Sequence, residues 1–319
     1  MLKTIAILTS GNDSPGMNAA VRAVARGALG KGCRVFAVNS GFKGMIADDI
    51  WEMNTRSTSD IIQRGGTFLG CGRSKDFLTE EGQQRALANL KKRGVEGVVV
   101  IGGDGSLRGA LALSRLGMNV VGVPATIEND VWGTDYTIGC DTAANTIVEA
   151  INKLRDTASA HHRVLLLEVM GKNNGWLAML SGIAGGAEYI LVPEVMYNLD
   201  NICTELKESY AAGRKYCIIV VSEGTGGAEP IGKVIAAQTG IDTRVIVLGH
   251  IQRGGSPTVE DRMKACQLGE RAAECVLAGK SDIVVGFDMG KMVEIKLADA
   301  VGNKKTLNPE LIRLAQILA

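Results

Sequence analysis

Nine short apolar runs recur along the chain: TIAILT (4–9), RVFAVN (34–39), GVVVIG (97–102), NVVGV (119–123), RVLLLEV (163–169), YILVP (189–193), CIIVVS (217–222), RVIVL (244–248) and DIVVGF (282–287). They are apolar throughout rather than alternating, which predicts strands covered on both faces and therefore largely parallel sheets. Between them, residues 15–30, 79–93, 141–158, 199–212 and 259–278 follow helical spacing. Strand and helix in alternation predict a doubly wound α/β fold. Ligands of such folds bind beyond the carboxyl ends of the strands, so the polar loops that follow strands are where chemistry is sought.

The chain has 319 residues, more than the roughly 250–300 at which a single core stops growing, so two domains are expected. No internal repeat or low-complexity linker marks the boundary. A fresh set of strands follows GCDTAANT (139–146), where Asp141 is expected to cap a new helix. The division expected is residues 1–139 plus about 252–303 for one domain, and 140–251 plus a tail of about 304–319 for the other. Gly reaches 41 residues and aromatics only 4%, as suits many tight strand-to-helix turns. A net charge of +1 lacks the basic footprint of a nucleic-acid binder or a polybasic membrane patch and favours small-molecule partners. The opening MLKTIAILTS has too short an apolar run for a signal-peptide core, so a cytoplasmic protein is expected. Seven scattered cysteines and three histidines fit neither a disulfide framework nor a zinc site.

Four groups of residues carry candidate chemistry. In TSGNDSPGMNAAVRA (9–23) a strand gives way to a small polar turn and a helix expected to open at Pro15, whose free N–H groups suit an anion. No G-x-x-x-x-G-K-[ST] string occurs anywhere. In IGGDGSLRGA (101–110), Gly102, Gly103 and Gly105 would let the backbone approach phosphates and Ser106 would cap a helix. Asp104 beside a polyphosphate needs an intervening cation, which makes it a Mg²⁺ ligand candidate. A plain turn residue, or a loose dinucleotide fingerprint from Gly103, Gly105 and Gly109, are the rival readings. In PATIEND (124–130) two carboxylates follow a threonine at a strand end, where one could accept the proton of an attacking hydroxyl. The last group gathers Arg73, Arg163, Glu223, Arg244, His250 and Arg253 at strand ends, where guanidinium groups would suit a phosphorylated substrate.

Taken together, RGGTFLG, IGGDGS, the TIxND string, EVMG and LGHIQRGGSP resemble the bacterial 6-phosphofructokinase family, in register over nearly the whole chain. The resemblance implies Mg²⁺-dependent transfer of the ATP γ-phosphoryl group to the 1-hydroxyl of fructose 6-phosphate in glycolysis. It also implies a homotetramer with active sites completed across subunits; a mixed assembly with a paralogous subunit stays open. ATP would meet Asn12, Arg73, Ser74, Gly103, Asp104, Gly105 and Ser106, with Asp104 on the metal. The sugar phosphate would meet Thr126, Glu128, Asp130, Met170, Gly171, Lys172, Glu223, His250 and Arg253, with Arg163 and Arg244 lent by a neighbour. Catalysis would fall to Glu128, Thr126, Arg73 and Lys172. Members that use pyrophosphate usually carry Asp where this chain has Gly105 and Lys where it has Ala125, so both positions point to ATP. An effector site for a nucleotide or phosphoenolpyruvate is implied at Arg22, Arg26, Asp60, Arg155, Glu188, Arg214 and Lys215.

The chain departs from the family at several of these positions. Glu128 stands where relatives place the aspartate base, Asn12 replaces a glycine, Phe42 a tyrosine and Lys172 an arginine. In the effector set Thr55 stands where an arginine is usual, and Tyr216 replaces a histidine. Two other readings therefore stay open: a weakened or regulatory paralogue that binds nucleotide and sugar phosphate with low turnover or a different substrate, and, more remotely, an NAD-dependent oxidoreductase.

Overall fold

A computed structural model describes residues 2–72 and 74–318. In chain order its strands are β1 (Thr4–Thr9), β2 (Arg34–Val38), β3 (Ile50–Met53), β4 (Gly97–Gly102), β5 (Asn119–Pro124), β6 (Val164–Val169), β7 (Tyr189–Leu191), β8 (Cys217–Ser222), β9 (Thr243–Val247), β10 (Ile283–Asp288) and β11 (Lys291–Lys296). Its helices are α1 (Met17–Leu29), α2 (Gly41–Ile46), α3 (Glu80–Lys92), α4 (Asp104–Arg115), α5 (Cys140–His161), α6 (Trp176–Gly185), α7 (Leu199–Ala211), α8 (Ala228–Thr239), α9 (Val259–Leu277), α10 (Leu297–Gly302) and α11 (Pro309–Leu318). The chain divides into two compact units, Met1–Thr142 with Arg253–Lys305 and Ala143–Gln252 with Thr306–Ala319.

The first unit holds a seven-stranded sheet in the order β11-β10-β5-β4-β1-β2-β3, parallel except for the antiparallel edge strands β3 and β11. Strands β1 and β4 are buried at every position and apolar through their middles because both faces are covered. Ile5, Ile7, Val99 and Ile101 join residues of α1 and α9 on one side. Ala6, Leu8, Val98 and Val100 join α3 and α4 on the other. Each such buried aliphatic side chain contributes about 1.5–3 kcal/mol. After β1 the chain moves to β2 on one side, and β4 is placed on the other, so the loops after β1 and β4 flank the point where strand order reverses.

The second unit holds a four-stranded, wholly parallel sheet in the order β7-β8-β6-β9. Val164, Leu166, Ile219 and Val221 pack there against Ile202 and Leu206 of α7 and Ile231 and Ile235 of α8.

The structure corrects three local readings. Helix α1 opens at Met17 rather than Pro15, because Gly16 takes a left-handed conformation at φ 102° that ends any helix reaching back through it. Helix α4 begins at Asp104 with Gly103 at its N-cap, so Ser106 lies inside the helix and caps nothing. Helix α5 begins at Cys140, which places Asp141 within its first turn, where it accepts a hydrogen bond from Thr258 Oγ1 at 2.6 Å. No described helix is long and apolar enough to cross a membrane.

Candidate active site

Strands β1, β4 and β5 are neighbours in the first sheet, and their carboxyl ends release the three loops singled out above. With strands about 4.8 Å apart, these loops lie side by side. Asn12 follows β1, Gly103 to Ser106 open α4, and Thr126 to Asp130 follow β5. In the first loop Gly11 (φ 83°) and Gly16 (φ 102°) take left-handed conformations, and Asn12 does not. Gly11 and Gly102 close over Ser106: a Cβ on either would fall 2.8 or 2.5 Å from its hydroxyl. That hydroxyl is buried with no hydrogen-bond partner. Gly105 is the opposite case, exposed at the start of α4 with open space where a side chain would go. Asp104 is partly exposed on the first turn of α4 and forms an i,i+4 pair with Arg108 at 2.9 Å.

The loop after β5 is held by its own polar groups. Thr126 Oγ1 accepts from the Glu128 amide at 3.2 Å, and Thr126 O accepts from Thr137 Oγ1 at 2.6 Å. Asn129 sits at φ 48° and donates through Nδ2 to Asp135 O at 2.9 Å. Further along, the fully buried Asp261 of α9 accepts from Tyr136 Oη at 2.6 Å, Gly139 N at 2.6 Å, Thr142 N at 2.8 Å and Thr142 Oγ1 at 2.5 Å. Burial pushes the Asp261 carboxyl up, and the four donors oppose that shift. The loop is thus fixed before any ligand arrives, as a site for chemistry requires.

Asp130 is the electrostatic oddity of this loop. Burial raises its carboxyl above the usual range, the negative charge of Asp104 raises it further, and Lys305 works against both. Two carboxylates whose fields overlap at the ends of adjacent strands are the arrangement a divalent cation relieves. Among the described residues no cluster of three or more His, Cys, Asp or Glu could hold a metal by itself. Mg²⁺ ordinarily takes one or two carboxylates and completes its shell with phosphate oxygens and water, and this donor set fits that habit.

The RGGTFLG loop (64–70) is tied to the same end of the sheet. Thr9 Oγ1 lies 2.9 Å from Thr67 Oγ1 and donates to Gly70 O at 2.9 Å. Asn18 of α1 holds Arg64 O, Gly65 O and Phe68 N. Ser256 Oγ donates to Gln63 O at 2.7 Å, which brings the residues after Arg253 to this loop. Asp13 and Arg253 both act on the Cys71 thiol, which burial pushes upward. Ser74 accepts from the Phe77 amide at 3.2 Å, and Arg73 lies outside the described residues. Phe42, stacked 4.2 Å from Phe77, is buried in the core, where it leaves no hydroxyl to satisfy.

In the second unit, β8, β6 and β9 are likewise neighbours, and their carboxyl ends carry Glu223, Met170 to Lys172, and His250. Ser222 Oγ donates to Gly171 O at 2.7 Å, and the Gly224 amide donates to the same carbonyl. The Met170 amide donates to the buried Gln252 at 3.1 Å. Lys172 and His250 are exposed. Arg163 and Arg244 lie at the other end of this sheet, sharing Asp242 at 3.1 and 3.0 Å. Arg163 precedes the first residue of β6 and Met170 follows its last, a separation of roughly 20 Å along the strand. One copy of this unit therefore does not bring Arg163 and Arg244 to Met170 and Glu223.

The effector candidates also fall into two sets. In the first unit Arg22 and Arg26 are one turn apart on α1, and Arg26 donates to Thr58 Oγ1 at 3.2 Å, two residues before Asp60 at φ 53°. In the second, Glu188 and Arg214 line a cavity of about 520 Å³ with Tyr189, Glu205, Glu208 and Ser209. Arg155 donates to Gly186 O at 2.8 Å and to Tyr216 Oη at 3.3 Å. Lys215 is exposed beside it in sequence.

Sequence reasoning missed Asn18, Thr67, Asp261 and Lys305, each of which holds or charges a loop of the candidate site. Their partners lie far away along the chain, 119 to 125 residues for Asp261, so no local spacing announced them.

Comparisons with known proteins identify the family. The family model described as phosphofructokinase matches residues 4–276. Over 318 residues the chain is 49% identical to the ATP-dependent 6-phosphofructokinase of Clostridium botulinum (strain Hall) and 50% identical to that of Clostridioides difficile (strain 630), covering 100% of this chain and of each relative. Among solved structures, phosphofructokinase from Saccharomyces cerevisiae superposes with a TM-score of 0.87 at 36% identity, over 94% of this chain and 45% of that longer one. The pyrophosphate-dependent phosphofructokinase from Marinobacter aquaeolei shares the fold, with a TM-score of 0.87 at 21% identity over 99% of this chain and 91% of that one. The chain belongs to the phosphofructokinase family.

Proposed function

We propose that this chain is an ATP-dependent 6-phosphofructokinase, transferring the γ-phosphoryl group of ATP to the 1-hydroxyl of fructose 6-phosphate. The observation that carries this reading is the juxtaposition of the Gly103–Ser106 loop and the Thr126–Asp130 loop at the carboxyl ends of adjacent strands β4 and β5. The first loop suits a polyphosphate, the second an attacking hydroxyl. The names of the two clostridial relatives point to the same reaction.

In this reading Gly103, Gly105 and Ser106 present backbone and the α4 N-terminus to the nucleotide phosphates, beside Asn12, Ser74 and Arg73. Asp104 would hold Mg²⁺ together with phosphate oxygens, and the ion supplies neutralisation of charge on the transferring group when bound. Glu128 accepts the proton of the sugar 1-hydroxyl as that oxygen attacks phosphorus. Thr126 and Asp130 orient the sugar, and Lys172 places positive charge near the reacting phosphates. Met170, Gly171, Glu223, His250 and Arg253 bind the sugar phosphate. Arg163 and Arg244 would serve a neighbouring copy, since they stand at the far end of their own sheet; that placement supports an assembly of several copies, which we propose to be a cytoplasmic homotetramer. The effector set would bind a nucleotide or phosphoenolpyruvate, with Arg155 already engaged by Tyr216 and two backbone carbonyls.

A coupled assay with ATP, Mg²⁺ and fructose 6-phosphate tests the reading, run beside Glu128→Asp. A wild-type kcat of roughly 1–100 per second is expected. Negligible wild-type turnover with a large gain in the variant would overturn it in favour of the binding paralogue, the reading that Glu128 and Asn12 favour.

Phosphoryl-donor choice gives a second expectation. A Cβ at Gly105 meets no heavy atom within 4 Å, so Gly105→Asp finds open space at its first atom, and a carboxylate at the N-terminus of α4 is mildly stabilising. The same charge repels a bound polyphosphate by about 4 kcal/mol at 4 Å for an effective dielectric near 20. The variant should therefore keep its Tm while kcat/KM for ATP falls roughly 10²- to 10³-fold. Unchanged ATP use would remove Gly105 from the nucleotide site.

A further inference from the structure

Strand β8 (CIIVVS) is apolar until its last residue, Ser222, which is fully buried. A buried hydroxyl needs a partner. Ser222 stands in register with Val169, the last residue of β6, and its Oγ reaches beyond that rung to donate to Gly171 O at 2.7 Å. The Gly224 amide donates to the same oxygen at 3.2 Å. A carbonyl oxygen has two lone pairs, and both are taken here, so its direction is set. The backbone is also closely enclosed. Gly171 holds φ 144°, and a Cβ on it would fall 2.5 Å from Asn174 O and 2.9 Å from Ser222 Oγ. A Cβ on Gly224 would fall 2.8 Å from Gly171 O and 2.6 Å from Lys172 O.

A peptide group is planar and trans, so fixing the Gly171 carbonyl also fixes the Lys172 N–H, which points the opposite way, away from Ser222 and Gly224. Among the described residues nothing accepts from the amides of Gly171, Lys172 or Asn173, and Lys172 and Asn173 are exposed. The Met170 amide just before them is by contrast tied to Gln252, which in turn donates to Gly249 O at 2.9 Å. We propose that Ser222 is a positioning residue for the phosphorylated sugar: by holding the Gly171 carbonyl it aims the Lys172 amide at an oxygen of that substrate. This rests on the kinase reading above, which gives Met170, Gly171 and Lys172 to the sugar phosphate. Ser222 itself touches no substrate, because its one proton is spent on Gly171 O. Without that hydroxyl the Gly224 amide holds the carbonyl alone and at the longer distance. The peptide plane can then swing, and the Lys172 amide swings with it. The Lys172 ammonium, on a long flexible stem, can re-aim as the backbone moves. The loss therefore falls on sugar binding more than on turnover.

The test compares wild type with Ser222→Ala and Ser222→Thr, by steady-state kinetics with ATP, Mg²⁺ and fructose 6-phosphate and by thermal unfolding. Alanine deletes a single oxygen and leaves the Gly224 bond in place, so the variant is expected to fold with a Tm close to wild type. Its KM for the sugar should rise about tenfold, short of the loss on the order of 10²-fold that a full 1 Å misplacement can cause. Its kcat and its KM for ATP should stay close to wild type, since Gly103 to Ser106 belong to the other unit. Ser222→Thr, which keeps the hydroxyl, should recover most of the sugar affinity. If wild type has no turnover, the same three proteins are compared by their Kd for fructose 6-phosphate in calorimetry, with the same order expected. Wild-type turnover with an unchanged sugar KM in Ser222→Ala would overturn the proposal and leave the kinase reading standing. A threonine variant as impaired as alanine would also overturn it, because the hydroxyl would then not be the group at work. So would a joint loss of kcat, both KM values and Tm, which would make Ser222 a structural support only. A wild type that neither turns over nor binds fructose 6-phosphate would remove the kinase reading and this proposal with it.

Discussion

Replacing Glu128 by Gln should lower kcat by roughly 10²- to 10⁴-fold, the range that removal of a general base produces. The two KM values should stay close to wild type, because the amide keeps the shape and polarity of the side chain and loses only its ability to take a proton. The backbone around it is not expected to move: the Glu128 amide is bound to Thr126 Oγ1, and the next residue is fixed through Asn129 Nδ2 to Asp135 O. Glu128→Asp shortens the side chain by one methylene and restores the residue usual in the family. Since a displacement of about 1 Å can change a rate on the order of 10²-fold, the direction of that variant reports how well this loop has adapted to glutamate. A loss relative to wild type means the site has re-formed around the longer acid, and a gain means that it has not. Steady-state kinetics under saturating ATP and sugar measure both. A Gln variant retaining wild-type kcat would remove Glu128 from proton transfer and leave Asp130 as the carboxylate to examine.

What could be read from the sequence depended on how far a residue's partners lay. GVVVIG and TIAILT are visible as strands because every position is buried and the run between their end residues is apolar. The edge strands β3, IWEM, and β11, KMVEIK, escaped because their mixed, partly exposed faces resemble loop composition. WLAMLSGIAG is apolar almost all round, so α6 shows no stripe to reveal its period. The chemistry of the site was legible where a polar string interrupts an apolar pattern at a strand end, as in GGDGS and TIEND. The groups that hold those strings were not: Asn18 of α1 reaches residues 46 to 50 positions further along the chain, and Lys305 and Asp130, whose charges act on one another, are far apart in sequence. Ser106 was misread for a physical reason of the same kind. Its type suits a cap, but Gly103 already occupies that position, and the hydroxyl is enclosed by Gly11 and Gly102 instead.

Asp261→Ala should lower the stability of the first unit by about 3–5 kcal/mol, the cost of breaking a buried, fully used charge network. The carboxylate is the shared acceptor for Tyr136 Oη, Gly139 N, Thr142 N and Thr142 Oγ1. Deleting it leaves four donors around a buried site, each costing about 1–3 kcal/mol unless the segment shifts to find another partner. Either response acts on the same piece of chain, because residues 136–142 close the loop that begins at Thr126, and Thr137 Oγ1 holds Thr126 O. An apparent Tm lower by on the order of 10 °C is therefore expected together with a fall in kcat/KM. Asp261→Asn separates charge from hydrogen bonding. Its amide keeps one acceptor oxygen but turns a second donor toward either the Tyr136 and Gly139 pair or the Thr142 pair, so it should cost nearly as much as alanine. If Asn were instead as stable as wild type, repulsion and burial of the charge would outweigh its hydrogen bonds, and the anchor would be steric. Thermal unfolding of both variants, followed alongside fructose 6-phosphate kinetics, decides between these, since an anchor of the substrate loop must move stability and sugar KM in the same variant.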